Sequence, residues 1–144
     1  MRFGVVWMLL SACGTSSPSE SFDCSEATYA EPLAAGFTKT ADARKINFSF
    51  VELAPTQPES GDNNWTIQLL VPGTGDGIVG AQMTGTTIPH GTHPLGDPVA
   101  LTPLATPGRF LIVPRLYHAG LWDTTIVVTG ATTDTITFVA CAAR

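Results

Sequence analysis

Apolar and polar residues alternate along most of the chain that follows Lys45. A period of two places successive side chains on opposite faces of a β-strand, so each alternating run predicts a strand with one face towards a core. The inward-facing members of the four clearest runs are Ile46, Phe48 and Phe50; Trp65, Ile67 and Leu69; Trp122, Thr124, Ile126 and Val128; and Ile136, Phe138 and Ala140. We predict that these side chains share one buried core.

Three further strands are predicted between segments rich in glycine and proline. They are Ile78 to Thr87, with Ala81 and Met83 on one side, Val99 to Leu104, and a strand opened by Phe110 and Ile112. Because proline lacks the N–H that a central strand donates, Pro103 places the second of these strands at a sheet edge. Residues 73–77 and 107–108 are predicted turns, and residues 89–98 are a predicted loop.

About seven short strands with turns between them predict an all-β fold, an immunoglobulin-like β-sandwich. Helical periodicity is almost absent, which argues against a parallel α/β architecture. A chain of 144 residues is the length of one domain. We place that domain at residues 45–144, and we expect the segment from Cys24 to Arg44 to be irregular because Pro32 interrupts its one helical turn.

The start of the chain is typical of an export signal. Arg2 precedes an apolar run from Phe3 to Leu10, which is far shorter than the ~20 residues of a transmembrane helix. The sequence Leu10-Ser-Ala-Cys13 resembles the lipobox of bacterial lipoproteins, in which the cysteine is acylated. We therefore predict a signal segment at residues 1–12 and a lipid-anchored tether with an irregular segment at residues 13–44. The alternative is an ordinary signal peptide.

These features place the protein outside the cytoplasm, anchored to a bacterial membrane and facing the periplasm. The residue after the lipobox cysteine is Gly14 and not the aspartate that is associated with retention in the inner membrane. This difference favours the outer membrane. If Cys13 carries lipid, Cys24 and Cys141 remain as a pair in an oxidising compartment, where a disulfide can persist. Two buried free thiols are the alternative.

Composition excludes some functions. Seven Lys and Arg residues are scattered along a chain of formal charge −5, so no basic patch is available to neutralise phosphates and nucleic acid is not an expected partner. The chain has neither a Gly-x-Ser-x-Gly nucleophile elbow nor a phosphate-binding Gly-x-x-x-x-Gly-Lys loop. We therefore expect a protein that is not an enzyme.

The three histidines are the strongest chemical signal in the sequence. His90 and His93 lie three residues apart in the loop that contains Pro89 and Gly91, and His118 precedes a predicted strand. Imidazole is the commonest side-chain metal ligand and suits copper or zinc, and the thioether of Met83 would favour Cu(I). These four side chains are the predicted metal ligands. The alternative is that the loop is only a turn and that His118 covers the core beside Trp122.

Five motifs occur in one order along the domain: Gly61-Asp-Asn-Asn-Trp65, Val79-Gly-Ala81, Pro89-His-Gly-Thr-His93, Pro107-Gly-Arg-Phe110 and Gly120-Leu-Trp122. In this order and spacing they resemble the YtkA-like/FixH family of small exported domains. The resemblance covers most of residues 45–144 and, more loosely, the segment from Cys24. A cysteine near the mature start paired with one at the end is similar to lipoprotein members of that family.

The resemblance implies copper binding and a protein partner in metal handling, since relatives are associated with cytochrome oxidase assembly or copper handling. Family members read Met-Pro-x-His-x-His in the loop and Met-x-Gly-x-Trp before the later strand. In this chain Ile88 replaces the first Met, and His118 stands where the second Met would be. Replacing a thioether by an imidazole shifts the expected preference from Cu(I) towards Cu(II) or Zn(II). A structural or partner-binding lipoprotein with incidental histidines is the alternative function.

Overall fold

The structure, a computed structural model, describes residues 22–92 and 95–143. In chain order its elements are a 3₁₀ turn (Cys24–Glu26), β1 (Thr38–Thr40), β2 (Asn47–Ala54), β3 (Gly61–Asp62), β4 (Asn64–Leu70), β5 (Gln82–Pro89), β6 (Asp97–Pro98), β7 (Ala100–Pro103), β8 (Arg109–Val113), β9 (Arg115–Leu116), β10 (Gly120–Thr129) and β11 (Asp134–Ala142). The described residues contain no helix that is long and apolar enough to cross a membrane.

The strands form the two antiparallel sheets of a β-sandwich. One sheet has the order β1-β2-β4-β8-β7, the other has the order β11-β10-β5-β6, and β3 pairs with β9 alone. The all-β fold is therefore confirmed. Seven strands have four or more residues, and they correspond to the seven that the alternation predicts. The other four have only two or three residues, which is too short for an alternating pattern.

The predicted inward-facing side chains form the core. Phe48 and Phe50 in the first sheet meet Phe138 in the second, with ring centroids 5.8 and 4.9 Å apart and the rings edge to face. Trp65 packs on Phe50 from the neighbouring strand at 5.7 Å. All four rings are fully buried. These contacts join the two sheets, and edge-to-face pairs add about 0.5–1.5 kcal/mol each to the burial of their area.

The third strand begins later than its sequence pattern predicts. β5 starts at Gln82, because the N–H of Ile78 donates to the carbonyl of Leu69 at 2.9 Å and so belongs to the turn that closes β4. The predicted turn at Pro107-Gly108 is present. Gly108 has φ +73°, and a Cβ there would lie 2.6 Å from the carbonyl oxygen of Leu69, so the position requires glycine.

The segment before Lys45 contributes to the sandwich. Cys24 and Cys141 form a disulfide, as the cysteine count predicted, and this bond fixes the segment to β11. Leu33 and Ala41 are buried in the main core, and β1 pairs with β2. The sandwich therefore extends beyond the 45–144 boundary that the sequence pattern suggests, because a strand of three residues and two isolated apolar contacts carry no periodic signal.

The same segment covers the outer edge of β11. The Glu31 N–H donates to the carbonyl of Val139 at 2.8 Å, and the Glu31 carboxylate accepts the Val139 N–H at 2.9 Å. The Lys39 ammonium pairs with that carboxylate and also donates to the Thr137 carbonyl. The Asp42 N–H donates to the Thr135 carbonyl. These bonds occupy backbone groups that an unprotected edge strand would offer to another chain.

Asn63, in the Gly-Asp-Asn-Asn-Trp motif, is a structural residue. Its buried side chain accepts the N–H of Glu59 and donates to the carbonyls of Glu59 and Gly61, at 3.0, 2.8 and 3.1 Å. We expect Asn63→Ala to lower the free energy of unfolding by about 2–3 kcal/mol, because buried backbone groups lose their partners. Urea unfolding measures the loss. The exposed neighbour Asn64 provides the control, and equal losses for Asn63→Ala and Asn64→Ala would contradict this role.

Candidate metal-binding residues

His90 follows β5 directly and is held by two contacts to β10. Its backbone N–H donates to the Leu121 carbonyl at 2.9 Å, and its ring atom Nδ1 lies 2.8 Å from Oδ1 of Asp123. In the register of β5 and β10, Pro89 faces Trp122 and Ile88 faces Asp123. Because Trp122 points into the sandwich and successive side chains alternate, Asp123 and His90 lie on the outer face of this sheet.

Tyr29 covers the imidazole of His90 from the N-terminal segment. The two ring centroids are 6.2 Å apart, and the ring planes are inclined by 28°. Tyr29 comes five residues after Cys24, so the disulfide brings this part of the segment to the sheet. The His90 side chain is 38% exposed and that of Asp123 is 21% exposed, so the pair is half-covered rather than buried.

His118 lies in the turn before β10, in a different environment. Its Nδ1 is 2.9 Å from the carbonyl oxygen of Ala119, and since a carbonyl only accepts, Nδ1 carries the proton. The imidazole packs on the ring of Trp122 with 4.8 Å between centroids, and the Trp122 indole N–H donates to the His118 carbonyl at 3.0 Å. His118 therefore covers the buried tryptophan.

The structure separates His118 from His90. The ring of His118 lies against Trp122, which points into the sandwich, whereas His90 pairs with Asp123 on the outer face. Two faces of one sheet do not present their side chains to a common point. The two imidazoles therefore have separate partners, and no hydrogen bond or ring contact joins them among the described residues. The strand register, which the sequence does not display, is the reason.

Met83 lies too far along β5 to join His90. It pairs with Val128 near the other end of β10, seven residues before His90, which corresponds to about 23 Å along a strand. Its side chain is partly buried and packs against the main core. Met83 is thus a packing residue at the opposite end of the sheet.

Two predicted site residues lie outside the described part of the chain, namely His93 and the lipidation residue Cys13. Within residues 22–92 and 95–143, no three His, Cys, Asp or Glu side chains are grouped closely enough to hold a metal ion. Among the described residues, the one predicted ligand with a carboxylate partner is therefore His90.

A cleft of about 280 Å³ lies beside the disulfide, and no sequence pattern indicates it. Its lining includes Cys24, Glu31, Leu33, Pro58 and Cys141. The cleft is formed where the N-terminal segment meets the end of β11. Asp123 and Tyr29 were also missed as neighbours of His90, because each reaches it from a distant part of the chain.

No family model, curated protein or solved structure matches this chain. The resemblance to the YtkA-like/FixH family stays a prediction based on the five motifs.

Proposed function

We propose that the protein is a lipid-anchored, periplasm-facing β-sandwich that binds a transition-metal ion through His90. Copper is the first candidate metal and zinc is the alternative, and the role would be storage, delivery or buffering of the ion. The observation that supports this proposal is the hydrogen bond between Nδ1 of His90 and Asp123. In metal-binding histidines the N–H of the second ring nitrogen almost always donates a hydrogen bond to a carboxylate, a carbonyl or a water.

The Asp123 carboxylate determines which nitrogen of His90 is available. An ionised carboxylate only accepts, so Nδ1 carries the proton and the lone pair is on Nε2. Nε2 has no hydrogen-bond partner among the described residues, and the side chain is 38% exposed. The carboxylate also fixes the ring and makes the imidazole a better electron donor. His90 is therefore an oriented ligand with one coordinating atom.

The proposed ligand set is smaller than the sequence suggested. We leave out His118, which packs on Trp122, and Met83, which lies about 23 Å along β5 from His90. We keep His93, because three residues span at most about 11 Å. A pair of imidazoles leaves coordination positions for water or for a group from a partner protein. Without a thioether, such a site suits Cu(II) or Zn(II) better than Cu(I).

Titration calorimetry of residues 14–144 with Cu(II), Cu(I) and Zn(II) tests the proposal. We expect Cu(II) or Zn(II) to bind with one-to-one stoichiometry and His90→Ala to abolish this binding. Asp123→Asn should weaken it by about 10–100-fold, because the imidazole loses the partner that orients it.

His118→Ala is the matched control. It removes an imidazole on the other face of the sheet and keeps the backbone carbonyl that accepts the Trp122 indole N–H. Binding should be unchanged in this variant. Equal losses in the His90 and His118 variants would restore the shared three-histidine site, and binding that His90→Ala leaves intact would refute the proposal.

A second function is supported by the separation of the two histidines. Each has a local structural contact, His90 with Asp123 and His118 with Trp122, which is what a partner-binding domain with incidental histidines would have. Addition of a partner strand at β11 is opposed by the bonds from Glu31 and Asp42. The absence of metal binding in the same titration would favour this function.

A further inference from the structure

The exposed apolar side chains are distributed unevenly between the two ends of the sandwich. The His90 end is defined here as the end where β5 and β11 finish and β10 begins. Four large apolar residues at this end are more than one-third exposed, and we call them the aromatic rim: Phe22 (42%), Tyr29 (73%), Leu95 (100%) and Tyr117 (56%). Among the described residues, the other large apolar side chains exposed by more than one-third are aliphatic, namely Val71, Val79 and Leu104 at the opposite end and Val51 within β2.

The rim residues surround the His90 end from different elements. Tyr29 stacks on His90 from the outer face, and Tyr117 lies 6.2 Å from the Trp122 ring on the other side of the sheet. Leu95 belongs to the loop between β5 and β6, and Phe22 is two residues before the disulfide. Singly exposed apolar side chains are common on protein surfaces, so it is the presence of four of them at one end of the sandwich that indicates a contact surface.

The disulfide also determines where the tether meets the domain. Cys24 is bonded to Cys141 near the end of β11, and Cys141 pairs with Leu121, whose carbonyl accepts the His90 N–H. The tether therefore joins the domain at the His90 end. Nine residue steps separate Cys13 from Phe22, a span of at most about 30 Å and of about 17 Å on average for a flexible chain.

We propose that the aromatic rim rests against the headgroup region of the membrane that holds the lipid anchor. This inference depends on the acylation of Cys13, which is part of the proposed function. Tyrosine suits the position because its ring is apolar and its hydroxyl remains hydrated, and aromatic residues are enriched at membrane–water interfaces.

The attraction is carried by aromatic burial rather than by charge. The chain has a formal charge of −5. Next to the rim, the guanidinium of Arg115 lies over the Tyr117 ring, 5.4 Å from its centroid. Each rim contact is weak by itself, but a short anchor keeps the rim at a high effective concentration next to the lipid. The contact should therefore form on zwitterionic vesicles and persist at high salt.

Environment-sensitive labelling of the full-length protein, as exported by a bacterial host and added to phosphatidylcholine vesicles, tests this contact. Thr28→Cys places a thiol beside Tyr29 and keeps all four rim residues, and Thr74→Cys places a matched thiol in an exposed turn at the opposite end. Because Cys13 is acylated and the other cysteines are bonded, each variant has one thiol to label. Brominated lipids should quench the label at Thr28→Cys several-fold more strongly than the label at Thr74→Cys, at low and high salt alike.

A second variant tests the rim itself. Tyr29→Ser combined with Tyr117→Ser, in the Thr28→Cys background, should lower the quenching to the value at Thr74→Cys. Equal quenching at both ends of a protein that the vesicles retain would overturn the rim contact and leave the anchor and the metal site intact. A protein that the vesicles fail to retain would overturn the anchor and the rim contact together, and the calorimetric test of His90 would still be decisive for metal.

Discussion

Replacing Asp134 by alanine is expected to lower the free energy of unfolding by about 3 kcal/mol or more, a large part of the 5–15 kcal/mol typical of a domain. The Asp134 side chain is buried at the start of β11. Its oxygens accept the backbone N–H groups of Ala43, Lys45 and Thr135 at 2.7, 2.9 and 2.9 Å. Alanine would leave these three donors without partners, and the turn before β2 would lose two of its hydrogen bonds to β11.

The charge of Asp134 makes this contribution dependent on pH. Burial by itself would raise the pKa of Asp134, but the N–H groups of Ala43, Lys45 and Thr135 and the charge of Lys45 outweigh it and hold the pKa below the ordinary value of 3.8. A carboxyl group whose pKa is lowered by folding stabilises the protein fully above the pKa of the unfolded chain. Its contribution is then lost as the pH falls from about 4 through the lower folded pKa.

Urea unfolding at neutral pH and near pH 3 measures both effects. The Asp134→Ala variant should lose less stability on acidification than the wild type, because it has no carboxylate to protonate at this position. Asp76→Ala removes an exposed aspartate from a turn and serves as the control for a change in net charge. If the two alanine variants lose the same free energy at neutral pH, the hydrogen bonds of Asp134 do not fix the turn to β11.

The sequence predicted the parts of the fold that depend on local pattern. Ile46, Phe48 and Phe50 alternate with polar residues and are fully buried, because a period of two commits one face of a strand to the core. The edge position of β7 followed from Pro103, which cannot donate to a neighbouring strand. The strands of two or three residues were missed because they are held by tertiary contacts and not by their own pattern.

The candidate site was predicted less well because it depends on strand register. The sequence places His90 and Asp123 33 positions apart, and only the pairing of β5 with β10 brings them together. The same register puts His118 on the other face, since its partner Trp122 is one residue before Asp123 and points inwards. A shift of one residue between the two strands would reverse these positions. Spacing along the chain therefore identified the histidine loop but not its neighbours.

Removal of the disulfide is expected to have the largest effect on stability of any change considered. Cys24 and Cys141 are separated by 117 positions, so the bond closes a loop that contains nearly the whole sandwich. By the chain-entropy relation, a loop of this length contributes about 4–5 kcal/mol, mainly by restricting the unfolded chain. The Cys24→Ser/Cys141→Ser double variant should therefore unfold at a much lower urea concentration, with a steeper dependence on urea because its unfolded state is more expanded.

Reduced wild-type protein is the control for the serine substitutions and should match the double variant. The local consequence differs from the global one, because the bond also holds the segment that carries Tyr29 against His90. The His90–Asp123 pair is supported by β5 and β10 and not by this segment, so metal binding by the folded double variant should change little. A loss of less than about 1 kcal/mol would mean that the contacts of Glu31, Lys39 and Asp42 with β11 already confine the segment, and that the unfolded chain gains little freedom when the bond is absent.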